Sequence, residues 1–430
     1  MRQLRHLANC CLPGLTCGLL LTAVLARWCA AQETAPTGTA PAAPAAPAVE
    51  NTPAPAPAAN VTGLPYVYTK WRHFTVEDGL PNDHIFAVKA HGSKVWIGTE
   101  DGLACYDKET GKMQSWKEKD GLPFQSVTAL EVDKKTGDLW IGLFGGGLAR
   151  FSGGRFDHFH QLNSGLVNDV VYAITIENDN VWASTTAGAS RYNMVTKKWT
   201  IYTEKNAPME EIWNYGNCYN DGKVWLAVWG SGVLEFDVAT EKWNEYLDPD
   251  GEMEIDLYRD DGIVQVITTG VSYVDKILWV STYFGMSRYD GRNWRGIYAH
   301  ETGLPSDFTN NVKARSGNEC WFAHDKGLGV MADFSSETVV AYTRDEKTLR
   351  GVAKIYRLGK LIQTVDMENA VPHNFIINID HDGNDTWVAT GHGLGWAIGE
   401  GYYSGLQENP KWLADLPKSQ PAETATVADH

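Results

Sequence analysis

The sequence predicts an all-β fold, a seven-bladed β-propeller of four-stranded blades, on three observations. A Trp-centred segment recurs seven times, a second signal precedes each copy at a near-constant offset, and the 430 residues include 17 Trp and 42 Gly. That aromatic and glycine excess suits short strands joined by tight turns rather than long helices.

Each copy runs from Trp through small or β-branched residues to Gly and an apolar residue, and in most copies on to an aromatic and Asp or Asn. Val95-Trp96-Ile97-Gly98-Thr99 leads to Gly102-Leu103 and Tyr106-Asp107, and Leu139-Trp140-Ile141-Gly142 leads to Gly147-Leu148 and Phe151. Trp182 leads to Gly188 and Tyr192-Asn193, Trp225 to Gly232-Val233 and Phe236-Asp237, and Trp279 to Gly285-Met286 and Tyr289-Asp290; Trp321 to Leu328 and Trp387 to Leu394 complete the set. Gly-Leu-Pro or a remnant of it begins 17 to 19 residues before each Trp, as at Gly79-Leu80-Pro81, Gly121-Leu122-Pro123 and Gly303-Leu304-Pro305. The Trp spacings are 44, 42, 43, 54, 42 and 66. A period of about 40 to 45 accommodates four short strands, so the two long spacings mark insertions.

Alternation and turn residues place the strands of the first repeat at about Ile85–Ala90 (A), Val95–Thr99 (B), Leu103–Asp107 (C) and Met113–Trp116 (D). One such sheet leaves both faces wet, whereas seven arranged radially cover one another, so the repeated Trp residues are packing residues. Trp71-Arg72-His73-Phe74-Thr75 precedes the first Gly-Leu-Pro and has the character of a strand D without its blade. It is expected to complete the blade of Trp387 and close the ring; closure by Tyr402-Tyr403 or Lys411-Trp412 is the alternative.

Residues 1–31 read as a secretory signal peptide, with Arg2, Arg5 and His6 ahead of the apolar Leu12–Leu25 and small residues before Gln32. An uncleaved anchor is the alternative, and no membrane span is expected once the signal is removed. Residues 32–65 form an Ala/Pro-rich linker that cannot bury a core. Extended at about 3.1 Å per residue, Ala35–Asn60 would reach up to about 80 Å. The propeller is assigned to 66–412 and a loose tail to 413–430. These features predict a periplasmic or extracellular protein.

Without the signal peptide the chain keeps 34 basic and 53 acidic residues, a formal charge of −19. Nucleic acid is therefore excluded as a partner, and anionic membranes should be repelled. Cys105, Cys218 and Cys320 fall in three different repeats, which argues against a disulfide framework and for small buried hydrophobes. No Cys-x-x-Cys-His is present, so covalent haem is not expected.

Gly79-Leu80-Pro81-Asn82 with Trp96-Ile97-Gly98-Thr99-Glu100-Asp101-Gly102-Leu103, and Gly285-Met286-Ser287-Arg288-Tyr289-Asp290, resemble the repeat of the two-component-regulator propeller family. The resemblance covers about residues 66–400. It implies a sensor-type binding propeller, since many members are periplasmic sensor regions of histidine kinases. After Trp412 there is no room for a partner sandwich domain, a membrane span or a kinase, so a stand-alone exported member is expected.

In a propeller the D–A and B–C loops emerge around one mouth of the central channel, and binding residues favour such loops. The B–C loops place Glu100, Asp101, Phe144, Trp229, Tyr283, Phe284, Asp325 and His392 there, next to His324; the D–A loops add Asn82, Trp213, Phe308 and His373. Aromatics with interspersed polar groups suit stacking on sugar rings or on a peptide. Phe144 and Trp229 occupy loops one residue longer than the rest and alternatively plug the channel.

The leading expectation is a non-enzymatic module binding a saccharide, a peptide or an envelope protein, with no cofactor. One alternative is a metal-dependent lyase or hydrolase, with a divalent metal held by His324, His373, His392 and Asp325; propeller lyases that open streptogramin antibiotics set the precedent. Another is a structural subunit of an envelope complex. The acidic stretch from Leu247 to Arg259 lacks EF-hand spacing and reads as a solvated loop. Lys354–Ile362 reads as two strands around Leu358-Gly359, a blade extension or a flap. Oligomeric state is left open.

Overall fold

The computed structural model describes residues 65–249 and 262–399. The signal peptide, nearly all of the linker, the tail, most of the acidic insertion and the Tyr402 and Trp412 segments lie outside the described residues.

The described residues form seven antiparallel sheets. Blade 1 is Ile85–His91, Lys94–Thr99, Gly102–Asp107 and Lys112–Trp116, within one residue of the expected strand limits. Each innermost strand A packs beside strand A of the next blade, and Ile376–Asp382 of blade 7 packs beside Ile85–His91 of blade 1. The strand Trp71–Phe74 pairs antiparallel with Gly393–Ala397, with Trp71 opposite Ala397 and Phe74 opposite Leu394, and supplies the fourth strand of blade 7.

The repeated residues each have a mechanical task. The Trp residues sit between blades: Trp96 packs with Val127, Leu130 and Val132 of blade 2, and Trp387 with Ile85, Val88 and Ile97 of blade 1. The Thr ending strand B donates its hydroxyl to the carbonyl of the following repeat Gly, at 2.9 Å for Thr99–Gly102, 2.8 Å for Thr185–Gly188 and Thr282–Gly285, and 2.7 Å for Thr390–Gly393. Gly188 illustrates why Gly is required there. Its φ is +113°, and a Cβ would lie 2.2 Å from the Tyr202 carbonyl oxygen. The Asp or Asn after strand C caps the C–D hairpin: Asp107 Oδ1 accepts from the Glu109 and Thr110 N–H groups at 3.0 Å, and Asn193 and Asp290 repeat the pattern.

The two signals that recur together are also tied together in space. The N–H of a B–C Gly donates to a carbonyl in the D–A loop leading into the next blade, as from Gly147 to Asp169, Gly188 to Ile212, Gly285 to Asp307 and Gly393 to Asp83. Each blade's repeat Gly is thereby hydrogen-bonded to the loop that opens the next repeat.

The insertion after blade 6 extends that blade. Gly351–Arg357 and Lys360–Met367 add a hairpin outside strand D, giving a six-stranded sheet. Its turn is Leu358-Gly359, with φ of 49° and 70°. Cys105, Cys218 and Cys320 are all free thiols; Cys105 and Cys320 are buried and Cys218 is half-buried. No described helix is long and apolar enough to cross a membrane.

Candidate functional site at the channel mouth

Every strand A carries a bulge at its second residue, because register shifts by one between its first and third residues. An extra residue bends the strand and re-aims its side chain. In blades 3 and 4 the bulge residues are Tyr172 and Tyr215, and their rings stack at 4.6 Å and 20°. In blades 2, 5 and 6 they are Thr128, Thr269 and Asn310, which donate to the first strand A carbonyl of the next blade, at 2.5 Å to Val171, 2.6 Å to Thr309 and 2.7 Å to Ile376.

The tyrosines join the loop aromatics into one arc. Phe144 meets Tyr172 edge-on at 5.9 Å, Tyr215 meets Trp229 at 5.3 Å, Trp229 meets Tyr283 edge-on at 5.3 Å, and Tyr283 stacks on Phe308 at 3.8 Å and 8°. Trp213, 36% exposed, reaches Tyr215 at 6.4 Å. The arc spans blades 2 to 6, and all six of its rings are half-buried. Burial pushes the Tyr283 phenol well above its ordinary value, so it stays neutral. The sequence reading missed Tyr172 and Tyr215; an aromatic at the second position of strand A was the available signal. Phe284 has no ring contact with the arc among the described residues.

The two longer B–C loops reach across to the next blade. Phe144 forms an isolated bridge with Val170, and Trp229 with Ile267. Gly145 donates to Asp169 at 2.9 Å and Gly230 to Val266 at 3.0 Å, which ties each of these two loops to the segment entering the next blade's strand A.

Blades 7 and 1 make the remaining side of the mouth polar. His373 and His392 are exposed, with His392 Nδ1 4.0 Å from Asp83 and His84 Nδ1 3.5 Å from Glu100. Burial and then the neighbouring His392 lower the His373 pKa. Its Nδ1 accepts the Phe375 N–H at 3.0 Å, and Asn82 Oδ1 accepts the His84 N–H at 2.7 Å, so both residues cap the turn entering strand A. Asp101 pairs with Lys117, while Asp325 is half-buried with a buried Oδ1 that has no protein hydrogen-bond partner.

His324 departs from the expectation. It is fully buried, its Nδ1 lies 3.0 Å from the Thr309 hydroxyl, its Nε2 packs against Gly329, and burial lowers its pKa to about 3. As the last residue of strand B, on the interior face of its blade, it cannot join His373 and His392 at the rim. No group of three or more His, Cys, Asp or Glu side chains among the described residues is arranged to hold a metal ion.

Deeper in the ring, the residue of strand A opposite each blade Trp is Lys89, Glu131, Thr175, Cys218, Ser272, Lys313 or Asp380. Charge alternates over blades 6, 7, 1 and 2, with Lys313–Asp380 at 3.0 Å and Lys89–Glu131 at 2.9 Å, while blades 3 to 5 are neutral there.

No family model matches the chain, and a search of curated proteins finds no match. Among solved structures it is similar to the extracellular domain of a hybrid two-component system from B. thetaiotaomicron, at 14% identity and TM-score 0.57, covering 76% of this chain and 41% of that one. A second such domain from that organism gives 13% identity and TM-score 0.58, covering 77% and 40%. The chain has the propeller fold of these extracellular domains. It spans about two-fifths of their length. Virginiamycin B lyase from Staphylococcus aureus, at 14% identity and TM-score 0.51, shares the fold over 76% of this chain and 99% of its own. Likeness at this identity establishes architecture alone.

Proposed function

We propose that the chain is an exported, non-enzymatic binding module that takes a saccharide, a peptide or an envelope protein at the mouth formed by its D–A and B–C loops. The observation that carries this reading is the arc from Phe144 to Phe308, six rings in series opposite a polar wall of His373, His392, Asp83 and Glu100. Flat apolar faces on one side and hydrogen-bonding groups on the other suit a ligand that is itself two-faced, such as a sugar ring or an extended peptide. The extracellular setting of the two-component-system domains with the same fold supports export.

The test is a thermal-shift screen of the exported chain against glycans, peptides and envelope extracts, followed by titration calorimetry on any stabilising compound. Joint replacement of Trp229 and Tyr283 by Ala should abolish that binding. Undiminished binding by this variant would place the ligand elsewhere.

A further inference from the structure

The seven Trp residues are not covered alike. The strand C residue opposite each is Arg150, Arg191 or Arg288 in blades 2, 3 and 5, Glu235 in blade 4, Val330 in blade 6 and Trp396 in blade 7, but Cys105 in blade 1. The larger groups lie over the indoles: guanidinium to ring is 6.0 Å for Arg150, 5.5 Å for Arg191 and 5.4 Å for Arg288, and Trp396 stacks on Trp387 at 4.7 Å. Blade 6 supplies Arg315 from strand A's end, 5.8 Å from Trp321. Accordingly Trp96 is 7% exposed, whereas the other six are 0–2% exposed.

The short Cys105 side chain leaves a cleft of about 550 Å³ between blades 1 and 2, floored by Trp96, Trp116 and Phe151 and edged by Lys94 and Lys112. Blade 4 shows what is missing. There Lys223 lies 5.9 Å from Trp225, and its ammonium pairs with the buried Glu235 carboxylate, the residue equivalent to Cys105. In blade 1, Lys94 lies 5.9 Å from Trp96 in the same way. Neither Lys94 nor Lys112 has an ion-pair partner within 4 Å among the described residues; Asp107, opposite both and also lining the cleft, uses its Oδ1 to cap its own turn, as Asp237 does in blade 4 beside Glu235. The absent group is thus a carboxylate, and the space beside it is aromatic-walled and sized for a small molecule.

We propose that this cleft is a side-entry binding site for a small organic acid, a planar apolar body seated against the half-buried Trp116 and Phe151 above Trp96, with its carboxylate on Lys94 and Lys112. The site is separate from the channel mouth and shares no residue with it.

Calorimetric titration of the whole exported chain with indole-3-acetate, and with indole-3-acetamide as the uncharged control, tests this. Saturable one-site binding of the acid is expected, with the amide weaker by about tenfold, the worth of one charge-assisted hydrogen bond. Cys105→Arg rebuilds the cover used in blades 2, 3 and 5 and should abolish binding. Should that variant not fold, Lys94→Gln and Lys112→Gln, both at exposed positions, carry the test by weakening binding about tenfold each. Replacing Trp229, at the mouth, should leave it unchanged. No saturation by wild type, equal affinity for the amide, binding unaffected by the cleft variants, or capture of an acidic peptide in place of the small acid would each overturn the proposal.

Discussion

The Lys313 ammonium lies 3.0 Å from Asp380 Oδ1, and the other oxygen of that carboxylate accepts the Ala90 N–H at 3.0 Å. One side chain thereby ties blade 6 to blade 7 and blade 7 to blade 1. Burial alone would raise the Asp380 pKa, but Lys313, Lys89 and the Ala90 N–H outweigh it and hold the carboxyl at about 2, against an ordinary 3.8. Because the folded-state value is depressed, the stabilisation is full above the unfolded value and is lost as pH falls from about 3.8 through about 2. That difference corresponds to about 2 kcal/mol. Asp380→Asn should lower neutral-pH stability by about 3 kcal/mol, since it takes from Lys313 its carboxylate partner and from Lys89, which keeps Glu131, a neighbouring negative charge. Urea unfolding at several pH values should show a flatter acid limb in the variant.

His324 gives a second acid limb at higher pH. Burial lowers it from 6.5 to about 3, so the native state holds it neutral while the unfolded chain takes up a proton. Stability is present above 6.5 and is lost as pH falls toward 3, by up to about 5 kcal/mol. His324→Gln should remove that slope in denaturant titrations between pH 6.5 and 4.

The blade Trp residues and the loop Trp residues should separate cleanly by stability. Trp140→Ala or Trp182→Ala removes a fully buried ring from an inter-blade core and should cost about 3–5 kcal/mol. Trp213→Ala removes a ring 36% exposed at the mouth and should change stability by less than about 1 kcal/mol. Equal losses in chemical denaturation would refute the assignment of structural and surface roles.

Gly188→Ala should be worse than Thr185→Val, although both act on the same turn. The hydroxyl of Thr185 donates at 2.8 Å to the Gly188 carbonyl, and losing it costs about 1–2 kcal/mol. A methyl group at Gly188 meets the Tyr202 carbonyl at 2.2 Å with φ at +113°, which forces both turn and neighbouring strand to move. Melting temperatures of the two variants give the ranking.

Truncation tests the N-terminal strand. Removing residues 1–64 should leave the melting transition unchanged. Removing 1–75 should lose cooperative unfolding, because it also takes away Tyr68, whose N–H donates to the Tyr342 hydroxyl at 3.0 Å, and Trp71 and Phe74 from two inter-blade cores.

How much could be read in advance depended on whether a residue acts through its neighbours in the chain or across blades. Strand limits in blade 1, the Leu358-Gly359 hairpin and the packing role of the Trp residues were legible because alternation, turn chemistry and a repeated period are local properties. Position in the repeat gives only the flanking strands: Phe144, Trp229 and Tyr283 lie between strands B and C and Phe308 before strand A, and position says nothing of what they bind. Asn82 and His373 were read as ligand groups, yet the side chain of each satisfies a backbone N–H two residues on. His324, read as a rim ligand, is enclosed by Leu304 and Gly329.

The sequence by itself determined the seven blades, because Trp, Thr, Gly and Asp recur wherever a blade needs a wedge, a latch, a left-handed turn and a hairpin cap. Only the tertiary structure decided which of the differing residues meet. A bulge in every strand A turns Tyr172 and Tyr215 toward each other, strands distant in the chain set Lys313 against Asp380, and a single Cys where other blades carry larger side chains opens a cleft beside Trp96. Those relationships depend on side-chain direction and on contacts between separate blades, and neither is encoded in spacing along the chain.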